Sequence, residues 1–123
     1  MDSVKIFFHK NGYYWYKDGS SIKMSILGCF FVSEVGCFRT SFRKWADTAS
    51  DGDCFSGNTT RLELEGEDIL MTDLYPEVSA MLKITRIQFI KLFDEWLEKV
   101  CKIKPKEVMI IYDNDEFRIE TKN

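Results

Sequence analysis

The clearest pattern of apolar and polar positions runs from residue 84 to residue 100, where apolar side chains recur every third or fourth position. The stripe consists of Ile90, Phe93, Trp96, Leu97 and Val100. Thr85 and Gln88 have the spacing of a capping box, in which the threonine hydroxyl accepts from the amide three residues on. Pro105 ends the pattern, because proline cannot continue a helix. One main helix over about residues 85–101 is therefore predicted.

Three pairs of short segments, each pair separated by turn residues, predict β-hairpins. The pairs are residues 4–8 and 13–16, residues 61–65 and 69–72, and residues 108–112 and 117–121. Asn11 and Gly12 are the residues that a two-residue hairpin turn favours. The first and last pairs are rich in β-branched and aromatic residues, as strands usually are. The last pair predicts a hairpin at the carboxy terminus.

Residues 22–32 also show a strand-like pattern. Ile22, Met24 and Ile26 alternate with polar residues before the segment becomes wholly apolar, which predicts a long strand bent at Gly28. A weaker alternation over residues 37–42 predicts a further strand. Together these elements predict a single α+β domain over residues 1–123, with a twisted, mostly antiparallel sheet and the main helix packed on one face.

Residues 44–58 interrupt the pattern, because this segment consists largely of small residues, acidic residues and glycine. Trp45 and Phe55 are its only large apolar residues. It is predicted to be a long loop, and long loops in compact domains tend to be functional or disordered. The segment is therefore a candidate binding surface, with a mobile connector as the alternative.

The net charge and the absence of targeting signals argue against a nucleic-acid-binding, secreted or membrane-spanning protein. The 123 residues carry a net charge of −3, which disfavours binding to nucleic-acid phosphates. The amino terminus lacks the pattern of a secretory signal, and no apolar run has the roughly 20 residues of a membrane helix. We expect a cytoplasmic protein that contacts neither membranes nor nucleic acid directly.

Candidate catalytic and metal-binding residues are few. Cys29, Cys37, Cys54 and Cys101 have no paired spacing, so we expect free thiols, mostly buried. His9 is the only histidine, and neither a nucleophile nor an orienting carboxylate stands near it in the sequence. We therefore predict no catalytic residue, no metal site and no cofactor.

Charge placement gives the best candidate surface. Acidic residues gather at 47–53, at 63–73 and at 113–116. Acidic loops beside aromatic side chains suit a basic protein partner, because charge complementarity speeds encounter and buried aromatics supply affinity. The alternative is that the acids only keep the protein soluble. The candidate partner-binding residues are Trp45, Asp47, Asp51, Asp53, Phe55, Glu67 and Asp68.

The carboxy-terminal third of the chain carries a family resemblance. The matching positions are Ile84, Thr85, Gln88, Phe89, Leu92, Trp96, Pro105 and the strand over residues 108–112. This segment resembles a module of small bacterial immunity proteins of contact-dependent growth inhibition and related polymorphic toxin systems. The resemblance implies a cytoplasmic antitoxin, a monomer when free, that binds and blocks a cognate toxin domain, often a nuclease. It assigns no binding residues, because these positions are cap, core and turn.

Two other classes of function remain open from the sequence. The aromatic residues near the amino terminus could line the pocket of a small-ligand-binding or enzymatic domain. These residues are Phe7, Phe8, Tyr13, Tyr14, Trp15 and Tyr16. Alternatively, a broad apolar patch would indicate a structural subunit that dimerises.

Overall fold

The computed structural model describes residues 1–9, 14–16, 21–74 and 80–123. Its strands are β1 (Asp2–Phe8), β2 (Tyr14–Tyr16), β3 (Cys54–Ser56), β4 (Thr60–Glu65), β5 (Asp68–Asp73), β6 (Met81–Thr85), β7 (Glu107–Asp113) and β8 (Glu116–Lys122). Its helices are α1 (Ile22–Cys29), α2 (Ser41–Thr48) and α3 (Arg86–Glu95). Helix α1 continues as a π-helical segment over Phe30–Val35, and α3 does so over Trp96–Cys101.

The strands form two antiparallel sheets, so the predicted α+β class is confirmed with two sheets in place of one. The first, the terminal sheet, has the order β2-β1-β7-β8, and the second, the internal sheet, has the order β3-β4-β5-β6. The hairpins β4–β5 and β7–β8 are confirmed with continuous antiparallel registers. Strands β1 and β2 also pair, with Ile6 opposite Tyr16. The turns predicted at residues 11–12 and 17–20 lie outside the described residues.

Helix α1 corrects the prediction of a long strand over residues 22–32. The segment packs against β1 of the terminal sheet and against β5 and β6 of the internal sheet. The buried residues of α1 are Met24, Ile26, Leu27 and Gly28, which point in several directions around the helix axis. A helix that is covered on several sides in this way shows no clear helical period in its apolar positions. At Gly28 a Cβ atom would lie 2.8 Å from Cγ2 of Val4, so the glycine permits this close approach.

Helix α2 and strand β3 correct two more predictions, the strand over residues 37–42 and the loop over 44–58. The helix buries Phe42 and Ala46, four residues apart, against the core. Its first residues carry no capping signal, since the Thr40 side chain makes no cap hydrogen bond. The sequence signal for this helix is the spacing of Phe42, Trp45, Ala46 and Ala49, at positions i, i+3, i+4 and i+7, which the weak alternation over residues 37–42 masked. What remains of the predicted loop is the turn over residues 49–53.

Helix α3 confirms the main predicted helix and its Thr85 cap. The Thr85 hydroxyl accepts from the Gln88 amide at 3.1 Å. The Gln88 side chain does not complete the box, because its Nε2 donates to the Asp115 carbonyl at 2.7 Å. This bond ties the start of α3 to the turn of the β7–β8 hairpin.

An aromatic cluster joins the three helices. The Phe30 ring lies edge-on to Phe42 at 5.0 Å, and it packs at 5.8 Å from Phe89 and 6.3 Å from Phe93. Phe31 packs 5.0 Å from Trp96. All of these rings are buried, so the cluster forms the centre of the core.

A disulfide between Cys37 and Cys101 corrects the prediction of four free thiols. The two residues are 64 apart in sequence, so their spacing gave no indication of the pair. Beside the disulfide, the Trp96 indole donates to the Gly36 carbonyl at 2.7 Å. This bond joins the residue that follows the π-helical segment Phe30–Val35 to the first residue of the π-helical segment Trp96–Cys101. Cys29 and Cys54 remain free, and Cys54 is exposed.

No helix in the described part of the chain has the length and apolar character required to cross a membrane.

Loss of the disulfide should lower stability measurably. We expect Cys37→Ser, or reduction of the wild type, to lower the free energy of unfolding by roughly 2–4 kcal/mol, because the crosslink restricts the unfolded chain. Urea denaturation with and without reductant measures this change. Cys54→Ser, at an exposed position, should change the value by less than about 0.5 kcal/mol. A thiol titration of the denatured, unreduced protein that finds four thiols would contradict the disulfide.

Candidate functional site

Helix α2 carries the first two of the predicted partner-binding residues. Asp47 is exposed and pairs with Arg43 one turn earlier at 3.2 Å. Trp45 is partly buried and packs 6.4 Å from the ring of Phe55 on β3. Phe55 in turn packs 5.0 Å from Phe42 in the core. The two predicted aromatic anchors therefore lie side by side, with most of each ring covered by the protein itself.

The turn after α2 holds the next two predicted acids. The Asp53 carboxylate accepts from the Ser50 amide at 2.8 Å, and the Asp51 carboxylate accepts from the Gly66 amide at 2.8 Å. The amide of Gly52 donates to the carbonyl of Leu64 at 2.8 Å. These bonds fix the turn over residues 49–53 against the β4–β5 turn.

Arg86, the first residue of α3, joins the remaining elements. Its Nη1 donates to the Ala46 carbonyl at 3.2 Å, and its backbone amide donates to the Glu67 carbonyl at 2.8 Å. Its Nε lies 3.2 Å from the Glu67 carboxylate but is not aligned for a hydrogen bond, so this contact is an ion pair only. Nearby, Asp68 pairs with Lys83 at 3.6 Å.

Asp51, Asp53, Glu67 and Asp68 thus lie at the end of the internal sheet where β4 ends and β5 begins. Helix α2, which carries Trp45 and Asp47, is joined to this end by the bond from Arg86 to the Ala46 carbonyl, and Phe55 lies in the middle of β3 opposite Leu62.

We call the carboxylates of the predicted residues the acidic rim, which consists of Asp47, Asp51, Asp53, Glu67 and Asp68. Each rim carboxylate has a partner within the chain, yet the Asp47 and Glu67 side chains remain 62% and 77% exposed. The rim is therefore fixed in place and still faces solvent.

Glu34 is a carboxylate that the sequence analysis missed. It follows Ser33 at the end of a strongly apolar segment, and its side chain is fully buried. One carboxylate oxygen, Oε1, accepts from the Thr59 amide, from the Thr59 hydroxyl at 3.0 Å and from the Thr60 amide at 3.0 Å. The other oxygen, Oε2, lies 3.3 Å from Nη1 of Arg39. A buried charge is tolerated because these donors replace its water.

The Glu34 carboxylate also fixes the connection between β3 and β4. At Gly57 a Cβ atom would collide with this carboxylate, so only glycine leaves room for it. The Gly57 amide donates to the Thr60 carbonyl at 2.9 Å, which closes the turn. The sequence did not reveal this arrangement, because Glu34 in an apolar segment and Gly57, Thr59 and Thr60 more than 20 residues later form no recognisable motif.

A cavity of about 370 Å³ lies beside Glu34. Its charged or polar lining residues include Glu34, Arg39, Lys104 and Tyr14, and its apolar wall includes Phe8 and Phe38. Two of the aromatic residues near the amino terminus thus line a cavity. Phe7 and Trp15 instead stack on each other at 4.7 Å, and Tyr13 lies outside the described residues.

Tyr14 is the titratable cavity residue whose pKa is displaced. Burial raises the pKa of its phenol from 10.0 to about 12, because the charged phenolate would lose its water. The hydroxyl donates to the Val100 carbonyl at 3.3 Å. The phenol is therefore neutral at physiological pH.

His9 lies directly after β1. Among the described residues, no group of three or more His, Cys, Asp or Glu side chains is placed to hold a metal ion.

Comparison of the chain with protein-family models, with curated proteins and with solved structures gave no match. The candidate sites therefore stand on their geometry and chemistry.

A methyl group at Gly57 should disrupt the Glu34 contacts. We expect Gly57→Ala to lower the free energy of unfolding by roughly 1–3 kcal/mol, the usual cost of overpacking. Ser56→Ala, at the exposed neighbouring position, is the matched control. In a Glu34→Ala background the Gly57→Ala change should cost much less, because the obstructing carboxylate is gone. Equal costs in both backgrounds, measured by urea denaturation, would show that Glu34 is not the obstacle.

Alkaline pH should weaken the fold through Tyr14. Because the folded-state pKa is raised, its contribution to stability is full below about pH 10 and is lost as the pH rises toward 12. We expect Tyr14→Phe to show a shallower fall in stability over this range than the wild type. The pKa of Tyr112 is also raised, by its hydrogen bond to Asp115, so Tyr112→Phe is the comparison variant. Identical pH profiles for wild type and Tyr14→Phe would contradict the assignment.

Proposed function

We propose that this chain is an immunity protein that binds and neutralises a cognate toxin domain, a nuclease, by direct protein–protein contact. The observation that carries the proposal is the acidic rim. It brings Asp47, Asp51 and Asp53 of residues 47–53 together with Glu67 and Asp68 of the β4–β5 turn near one end of the internal sheet. The resemblance of the carboxy-terminal third to immunity proteins of polymorphic toxin systems supplies the biological class.

Electrostatics supports a basic partner for the rim. A nuclease holds nucleic-acid phosphates with Lys and Arg side chains, which leaves a cationic surface when the nucleic acid is absent. Carboxylates brought to that surface occupy positions that phosphates would take, and they raise the association rate. Binding of this kind blocks the substrate site without any chemistry in the inhibitor. The proposal accordingly assigns no catalytic residue and no cofactor.

The rim is ordered before any partner arrives. Asp51 and Asp53 accept hydrogen bonds from backbone amides, and Glu67 is anchored by Arg86. Association therefore costs less conformational entropy than it would for a mobile loop. Trp45 and Phe55 lie next to the rim and provide apolar area beside the charges.

The proposal places the protein in the cytoplasm as a monomer when free. The disulfide bears on the compartment, because such bonds persist in oxidising environments and are rare in the cytosol. Rapid alkylation of thiols in intact cells reports the state of Cys37 and Cys101. Alkylation of both cysteines would mean that the crosslink forms only outside the reducing cytosol, in agreement with the proposed compartment. Protection of both would show that the disulfide forms in the cell and would contradict the cytoplasmic assignment.

The function itself is tested by co-expression. The proposal predicts that the gene immediately upstream encodes a large secreted protein, and the carboxy-terminal domain of that protein is the partner to use. Expressed alone, that domain should arrest growth, and co-expression of this chain should restore growth. If the chain neither restores growth nor co-purifies with that domain, the proposal of immunity to it is wrong.

The surface is tested by charge removal that preserves hydrogen-bond acceptors. We expect the triple variant Asp51→Asn, Asp53→Asn and Glu67→Gln to bind the toxin domain at least about tenfold more weakly, chiefly through slower association. Amides are preferable to alanine because Asp51 and Asp53 each accept a backbone hydrogen bond. Surface plasmon resonance at two salt concentrations measures the rates.

The matched control removes the same charge from the terminal sheet. Glu107→Gln, Glu116→Gln and Glu120→Gln alter acids on β7 and β8. This triple variant should bind within about threefold of wild type, since exposed charges far from an interface are screened. An equal loss in both triple variants would show that net charge matters and that the rim is not the interface.

A further inference from the structure

The cavity beside Glu34 has the dimensions of a small-molecule site. Its volume of about 370 Å³ lies within the range of roughly 300–1,000 Å³ that ligand pockets occupy. It lies at the Thr60 end of β4, where Glu34 holds Thr59 and Thr60, whereas the acidic rim lies at the Glu65 end. Strand β4 thus separates two distinct sites.

Glu34 leaves Arg39 with unused hydrogen-bond donors. Only Nη1 of Arg39 is directed at Glu34, at 3.3 Å, and the arginine side chain is 50% exposed. A guanidinium has five N–H donors, so the other nitrogens remain available. The described residues offer these nitrogens no acceptor. Glu34 therefore orients Arg39 and leaves its other N–H donors without an acceptor among the described residues.

Lys104 supplies a second cation to the same cavity. Its backbone is held by the hydrogen bond from its amide to the Val100 carbonyl at 2.8 Å and by the buried Pro105 that follows. Its φ angle is 54°, a conformation that glycine adopts more readily than lysine. Within the described chain no carboxylate is ion-paired with Lys104, whereas nearby Lys102 pairs with Glu98 at 2.8 Å.

The charges of the lining favour an anion. Arg39 and Lys104 are cations, and the one carboxylate, Glu34, already accepts from four donors. A cationic ligand would meet two cations and a single carboxylate, whose Oε1 already accepts from three donors and whose Oε2 accepts from Arg39. Ser33, Gly36 and several apolar or aromatic residues complete the wall, and Phe38 on it is 93% exposed. An aromatic body could stack against this ring.

We propose that this cavity binds a carboxylate joined to an aromatic body, with the anion between Arg39 and Lys104 and the ring against Phe38. Glu34 acts as a positioning residue, because its carboxylate orients Arg39 and both of its oxygens already accept from donors of this chain. The same chemistry occurs in a free aryl-alkanoic acid and in the carboxy terminus of a peptide that ends in phenylalanine. This would be a second binding function, independent of the acidic rim.

The first test is titration of the whole ¹⁵N-labelled protein with 3-phenylpropionate, followed by amide chemical shifts. We expect saturable shifts at Gly36, Cys37 and Arg39, and none at Gly52 and Gly66 near the rim. The neutral analogue 3-phenylpropanamide should bind at least about tenfold more weakly, as expected when charge-assisted hydrogen bonds are lost. No saturable shift at millimolar ligand, or equal binding of the amide, would overturn the proposal.

Variants of the two cations provide the second test. Arg39→Gln and Lys104→Gln should each weaken binding about tenfold, and Arg39→Lys should recover part of the loss because it keeps the charge. Lys102→Gln, an exposed lysine outside the cavity, is the matched control and should change affinity less than about twofold. Thermal melts of every variant separate weaker binding from loss of fold. A loss with Lys102→Gln equal to that with Lys104→Gln would overturn the assignment.

A final comparison distinguishes the two sources of the ligand. A tetrapeptide ending in phenylalanine is titrated with a free carboxylate and, separately, with an amidated terminus. Tighter binding of the free peptide than of 3-phenylpropionate, with loss on amidation, assigns the site to peptide carboxy termini. Binding of 3-phenylpropionate alone assigns it to small acids. If neither carboxylate binds, or if amidation changes nothing, the proposal fails.

Discussion

The burial of α1 between the two sheets is the packing on which the rest of the structure depends. Its apolar side chains contact β1 on one side and β5 and β6 on the other, and its π-helical continuation brings Phe30 and Phe31 to the aromatic cluster. The sheets share no strand, so the helices supply the apolar surface that joins them. Without α1, each sheet would expose to water the part of its inner face that α3 does not cover, which costs about 25 cal/mol for each Å² of apolar surface.

The burial of α1 and its π-helical continuation also places the carboxylate of Glu34 in the interior, where charged side chains are rare. Because Phe30–Val35 runs into the core, Glu34 is enclosed and must find donors within the protein. It finds them in the backbone of the β3–β4 connection and in Arg39. A single carboxylate therefore connects a helix end, a hairpin turn and the cation beside the cavity.

Charge is consequently divided between the two ends of β4. One end carries the acidic rim, whose carboxylates are fixed by backbone amides and by Arg86. The other end is held at Thr60 by Glu34, which also borders the cavity that Arg39 and Lys104 line. With a net charge of only −3, the chain achieves this through placement and not through an excess of either sign.

The sequence by itself determined the elements whose signals are local. Thr85 caps α3, and the β4–β5 and β7–β8 hairpins form as predicted. Only the tertiary structure decided that residues 22–29 are helical, that Cys37 meets Cys101, and that Glu34 faces Thr59 and Arg39. The reason is physical: caps and turns depend on neighbours a few residues away. The helical state of a buried apolar segment, and the partners of a buried thiol or carboxylate, depend on residues that only the folded chain brings near.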